Sequence, residues 1–113
     1  MKLMQQTVNV QDVCGHYDFL GSRDSGEKLH TKIVELLNSQ ENKDVKLGLD
    51  FNGVNRVSHS FADEVFGLMA SRFGVNFIQN HIDLRNASGH IKTMCNFAIK
   101  ERLKKQKVEK REN

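Results

Sequence analysis

Ser58, His59 and Ser60 are the three consecutive residues best suited to chemistry, two hydroxyls flanking an imidazole. A hydroxyl within hydrogen-bond reach of an imidazole makes a nucleophile and its base, provided a third group orients the ring. Neighbouring side chains on extended backbone point apart. No residue at helical or strand spacing supplies the orienting member. The five histidines (His16, His30, His59, His81, His90) share no ligand spacing such as H-x-x-x-H. Catalytic residues, a metal centre and a cofactor are therefore not expected. A second candidate is Gly21 to Gly26, reading GSRDSG, which is neither a P-loop nor a dinucleotide fingerprint. Its backbone N–H groups and Arg23, with Ser22, Ser25 and Gly26, form a candidate anion site. The same composition serves an ordinary surface turn, which is the weightier reading.

The serine–histidine triplet sits where one periodicity gives way to another. Val45, Leu47, Leu49 and Phe51 alternate with Lys46, Gly48 and Asp50, which is the pattern of a strand. A turn at Asn52-Gly53 and a short apolar bridge, Val54 and Val57, follow. Ser60 with Asp63 then fits the Ser-x-x-acid signature of a helix start, and Asp63 and Glu64 suit the first turn of a helix. Phe61, Val65, Leu68 and Met69 make one apolar row, and Ala62, Phe66, Met69 and Phe73 a second. Rows this wide fit a helix buried on two sides. They also fit a helix that leaves Phe61 or Phe66 accessible to a partner. Ligands and partners of open α/β sheets meet the fold at the carboxyl ends of strands, so the corner near residue 60 is the expected site.

The remaining elements complete one domain. Leu3 to Val10 and Tyr17 to Leu20 are candidate strands around a Cys14-Gly15 turn. Asp24 with Glu27 opens a helix carrying Leu29, Ile33, Leu36 and Leu37, and the polar NSQENKD segment at 38–44 connects it to the central strand. Val75 to Leu84 reads as a strand, and a last helix from near Asn86 uses Ile91, Met94, Cys95, Ala98, Ile99 and Leu103. The alternation from Val45 onward implies parallel pairing. A chain of 113 residues that is 38% hydrophobic and 27% charged suits a single soluble domain. It has no apolar run near the ~20 residues of a membrane span. Its start lacks a signal-peptide core. Two distant cysteines fit reduced thiols in a cytoplasmic protein.

The order of elements, with LDFNGV and SHSFADEVFG, resembles the STAS domain of bacterial anti-sigma-factor antagonists. It is still more similar to small STAS-like bacterial proteins that carry a Ser-Phe-Ala-acid-Glu motif, here Ser60-Phe61-Ala62-Asp63-Glu64 followed by Phe66-Gly67. The resemblance spans most of residues 5–103. It implies an α/β domain of about four mostly parallel strands, an antiparallel N-terminal hairpin, three main helices and no catalytic machinery. In regulatory STAS domains a partner kinase phosphorylates a serine in this loop, and alignment through Leu49-Asp50-Phe51 and Gly53-Val54 puts Ser60 at that position. Three of the four loop positions depart from the family pattern. A phosphate there would also add about −1.5 to −2 charge beside Asp63 and Glu64. A plain N-cap role for Ser60 therefore weighs more.

Residues 1–103 form the expected domain and 104–113 a basic tail. From Lys100 to Glu112 seven Lys or Arg stand against three Glu, a balance of +4, whereas the chain totals +3, so everything before Lys100 balances to −1. Such a segment suits a solvated helix end, or contact with an acidic partner, a membrane or nucleic acid. No aromatic residue interleaves with these charges, which argues against nucleic acid. The leading expectation is a non-enzymatic regulatory or adaptor module. It would dock a protein, by resemblance a kinase-like ATPase or another signalling protein, through Asn52, Val57, Ser58, His59, Ser60, Phe61, Glu64 and Phe66. Changing an exposed Phe61 or Phe66 to Asp would then abolish binding. The alternative is an anion-, nucleotide- or nucleic-acid-binding domain using Arg23, the first helix start and the tail. An open sheet edge also admits a homodimer.

Overall fold

The computed structural model describes residues 4–38 and 45–111, with side chains described for 5–38 and 45–106. Leu3, the connection at 39–44 and the last two residues lie outside the described residues. In chain order the elements are β1 (Met4–Asn9), α1 (Val10–Cys14), β2 (Phe19–Leu20), α2 (Arg23–Asn38), β3 (Val45–Asp50) and β4 (Arg56–Val57). There follow a continuous helix α3 over residues 59–73, then α4 (Val75–His81), β5 (Ile82–Arg85) and α5 (Gly89–Arg111).

β3 is the centre of a three-stranded sheet, between β1 and β5, and both pairings are parallel. Leu47 and Leu49 lie opposite Ile82 and Leu84, and this face carries the core. On the other face Thr7, Gly48 and Asp83 stand in line. Arg85 lies flat across Gly48, donating to Thr7 Oγ1 at 3.0 Å and Asp83 Oδ2 at 3.4 Å. A Cβ at position 48 would stand 2.6 Å from the Arg85 Nε, so a side chain there would have to displace the guanidinium. β2 and β4 form a separate two-stranded parallel ribbon.

Several expectations are corrected. The N-terminal hairpin is not antiparallel, because both partners of the N-terminal strands are parallel strands further along the chain. The Asn9 side chain accepts from Asp12 N–H and turns the chain into α1 before any hairpin can close. Gly15, at φ +107, then ends that helix. The sheet content is three strands plus two rather than about four, and five helices replace three. Val75 to Leu84 is not one strand. Gly74, at φ +88, breaks α3 from α4, and the strand begins only at Ile82. Val75, Ile78 and Ile82 stand at helical spacing, i, i+3 and i+7, which a reading by apolar content alone does not separate from a strand. The last helix runs without a break past residue 104 to Arg111.

Helix α3 is the hub of the packing. It lies between α2 and α5, and Phe61, Ala62, Val65, Phe66, Met69 and Ala70 along it are all buried. Apart from the half-buried Leu68 and the exposed Phe73, its apolar rows belong to the core, so the helix is buried on two sides along most of its length. Burying each large apolar side chain of this kind contributes about 1.5–3 kcal/mol.

Candidate functional site

Two short segments set the corner between β4 and α3. In the β2–β4 ribbon Phe19 pairs with Arg56 and Leu20 with Val57. Strand alternation sends Leu20 and Val57 into the core and leaves Phe19 and Arg56 outside. The Arg56 guanidinium sits 5.4 Å above the Phe19 ring. That ring also covers Gly21, where a Cβ would meet it at 2.7 Å.

Ser58 makes the turn from strand into helix. Its N–H donates to Leu20 O at 2.9 Å, and its hydroxyl donates to Gly21 O at 2.8 Å while accepting from Phe61 N–H at 3.0 Å. Ser58, not Ser60, is thus the N-cap, and the helix opens at His59. The sequence offered two serines two residues apart. Only the earlier one lies within reach of both the ribbon and the free N–H groups of the first turn. Ser60 is half-buried in that turn.

The far side of β4 is closed by α5. Ser88 Oγ donates to Asn55 O at 3.1 Å. The His90 Nε2 lies 3.2 Å from Val57 O, and because a carbonyl only accepts, that nitrogen carries the proton. Two turns further along α5, Phe97 meets the His59 ring edge to face, with centroids 5.3 Å apart. Phe19 is 47% and Phe97 48% exposed. Both rings are accessible, with the exposed Arg56 and His59 as their neighbours.

The expected site residues divide accordingly. Asn52 and His59 are exposed, Ser58, Ser60 and Glu64 half-buried, and Val57 buried. Phe61 and Phe66, at 0% and 1% exposure, are core residues and offer a partner no surface. The exposed rings beside the corner are instead Phe19 and Phe97, neither of which was expected to be part of it. A signal existed for both. In Phe19-Leu20 two apolar residues follow one another in a strand, so one must face out. Phe97 stands off the buried row Ile91, Cys95, Ala98 of its helix.

One turn into α3 lies a closed polar junction. Residues Asp63–Gly67 form a π turn, and Asp63, at 7% exposure, is the buried charged residue among those described. Arg102 of α5 binds it in a fork, Nε to Oδ1 and Nη2 to Oδ2, each at 2.8 Å. Arg23 of α2 reaches Asp63 Oδ2 at 3.2 Å and Glu64 Oε2 at 3.0 Å. The Arg102 hydrogen bonds hold the Asp63 carboxyl below its ordinary range against the opposing cost of burial, with Arg23 adding to the effect. Gly67 makes room for this arrangement, since a Cβ there would strike the Asp63 carboxylate and stand 2.9 Å from Arg102 Cγ. Gly26 does the same for α2, whose backbone lies against Glu64 and the Phe61 carbonyl.

The junction also accounts for the candidate anion site. Ser22 Oγ accepts from Ser25 N–H at 3.1 Å and caps α2, Gly26 is buried, and Arg23 is committed to two carboxylates. An incoming anion would compete with Asp63 and Glu64 for the same guanidinium. The two cysteines are buried, and burial pushes the Cys14 thiol up to about 11 and the Cys95 thiol to about 12. Both are protonated at neutral pH and poor nucleophiles. Among the described residues no group of three or more His, Cys, Asp or Glu could hold a metal ion, and no helix is long and apolar enough to cross a membrane.

A small parallel α/β domain, with its strand-to-helix corner accessible and its central helix buried, is the class these features define. The family model for the STAS-like domain of unknown function (DUF4325) matches residues 25–92, and the chain belongs to that family. The match includes the corner and the Asp63 π turn but not Phe19, Arg23, Phe97 or Arg102. Nothing among curated proteins and nothing among solved structures matches the chain.

Proposed function

We propose that this protein is a non-enzymatic regulatory or adaptor module that docks a protein partner at the corner formed by residues 52–60. The observation that carries this reading is the pair of exposed rings, Phe19 and Phe97, on either side of the Ser58–His59 helix start. Aromatic side chains left accessible beside polar groups are typical anchors of protein interfaces. Membership of a STAS-like family is compatible with such a role.

The test is affinity capture with three baits: the native chain, Phe19→Asp and Phe97→Asp. Both substitutions fall on exposed positions, so circular dichroism should show native folding. The expected result is a protein retained by the native bait and lost by at least one folded variant, which rebinds as a purified protein with the same ranking. Equal retention of that protein by both folded variants would overturn the reading.

Phosphorylation of Ser60 by the partner is a finer form of the same proposal. Its favouring observation is that Asp63 and Glu64, the charges that oppose a phosphate, are bound by Arg102 and Arg23. A phosphate on the same turn would meet arginines as well as acids. Intact-mass analysis after incubation with the captured partner and ATP should show one added phosphate, absent in Ser60→Ala. No mass gain in the native chain would remove this form and leave docking untouched.

A further inference from the structure

We infer that the outer edge of β1 is a self-association surface, on which two copies of the chain pair their β1 strands antiparallel about a two-fold axis. The two three-stranded sheets then join into one of six strands. This surface shares no residue with the corner at 52–60.

The sheet order β1-β3-β5 leaves two outer edges. β1 is paired with β3 along its whole length, from Met4 opposite Val45 to Asn9 opposite Asp50, in an unbroken register. Alternate residues of such a strand turn their N–H and C=O groups away from the neighbour. Among the described residues no second strand or loop bonds those outward groups of β1. Folded chains blunt an open edge with charge, proline, a bulge, brevity or a cover. The opposite edge, β5, follows that rule, being four residues long with Asp83 and Arg85 among them. β1 does not. It is six residues, MQQTVN, without charge or proline, and its Gln5 and Thr7 are exposed.

Symmetry and charge together select the register. A two-fold axis normal to the sheet preserves its faces, and residues opposed across an antiparallel pair share a face. Residues of equal parity must therefore meet, so that Gln6 or Thr7 stands opposite its own copy at the centre. The guanidinium of Arg85 reaches Thr7 Oγ1 at 3.0 Å, so centring on Thr7 would bring two such cations together. Centring on Gln6 instead sets Thr7 and its guanidinium opposite the neutral carboxamide of Gln5 from the second copy, whose oxygen can accept from it. The other charges of this face, Lys46, Asp50 and Asp83, stand on β3 and β5. Across the axis their strands lie at least three spacings apart, ~14 Å, beyond the Debye length of about 8 Å.

A disordered segment of another protein could also add a strand, but it must be ordered as it binds. The β1 of a second copy is a strand already. Each edge spans ~20 Å, and pairing two of them buries less than the ~1,200 Å² of a stable standard interface. A weak, concentration-dependent dimer is therefore expected.

The experiment combines sedimentation velocity with amide hydrogen exchange on the full chain, from micromolar to millimolar concentration. The chain should pass from monomer to dimer, and alternate amides within 4–9 should gain protection over the same range. Gln5→Lys puts a cation opposite the Thr7–Arg85 pair twice per dimer and should raise the dissociation constant roughly fivefold or more. Gln5→Glu puts an anion there and should not weaken the dimer. Position 5 is exposed, so circular dichroism should show both variants folded, and exchange on the native chain needs neither. A chain monomeric throughout would overturn the inference. So would a dimer that leaves exchange in β1 unchanged, or one that both substitutions weaken equally.

Discussion

One turn of helix α3 separates two regions that treat polar groups in opposite ways. At the Asp63 junction the charged groups are paired: a forked arginine from α5, a second from α2, and a glycine that makes room for them. At the corner, Arg56 and His59 face solvent with aromatic rings as their neighbours. The first arrangement fixes three helices against one another, and the second leaves chemistry unspent. Buried ionic groups tolerate no loss of a partner, whereas exposed ones cost little to change. The domain thus places its rigid anchor one helical turn from its accessible surface.

The widest gap should appear between aromatic residues on the two sides. Phe61→Ala removes a fully buried ring and should cost about 3–5 kcal/mol in denaturant unfolding, whereas Phe97→Ala, half exposed, should cost under about 1 kcal/mol. Comparable losses at both positions would erase the distinction between core and corner.

The junction comes next. Asp63→Asn leaves two guanidiniums without their shared carboxylate and should destabilise by about 3 kcal/mol, the lower end for breaking a buried pair, since both arginines keep some solvent contact. The direction with pH follows from the lowered Asp63 pKa. The stabilisation is complete above the unfolded value of about 4 and is lost as pH falls through the lower folded value. Native protein should lose stability in acid more steeply than Asp63→Asn. Parallel acid profiles for the two proteins would count against the junction.

The smallest effect distinguishes neighbouring serines. Ser58→Ala deletes the cap and the bond to Gly21 and should cost about 1–2 kcal/mol, while Ser60→Ala should stay within about 0.5 kcal/mol. The reverse ranking in thermal unfolding would return the cap to Ser60.

Much of this contrast was legible in the residues. The alternation of Val45 to Phe51 located the central strand, and the spacing of Ile91, Cys95 and Ala98 located the last helix. The corner itself fell where the period changes. What escaped was information carried by partners distant in sequence. Asp63 reads as a first-turn acid because its local pattern is that of a capping box, and nothing nearby reveals that Arg102 will fold onto it. The local rule favours Ser60, which has an acid three residues on, whereas the bond from Ser58 to the β2–β4 ribbon gives the cap to Ser58. Phe61 and Phe66 looked available because the apolar rows of the helix are wider than one neighbour needs, and nothing local reveals that α2 and α5 together cover them. The parallel pairing of β2 with β4 escaped for the same reason, since two-residue strands carry no periodicity.

The π turn at Asp63–Gly67 has a consequence for how this helix tolerates length changes. A π turn accommodates one more residue than regular α-helical winding, so the segments on either side of it keep the relative rotation of a regular helix one residue shorter. Deleting one residue between Asp63 and Gly67 would therefore let the helix return to regular pitch while His59 and Ser58 keep their rotation about its axis relative to Met69 and Ala70. The same deletion within Leu68–Phe73, where winding is regular, would swing the corner by about 100°. The π turn is the place where this helix can lose a residue and keep its aim.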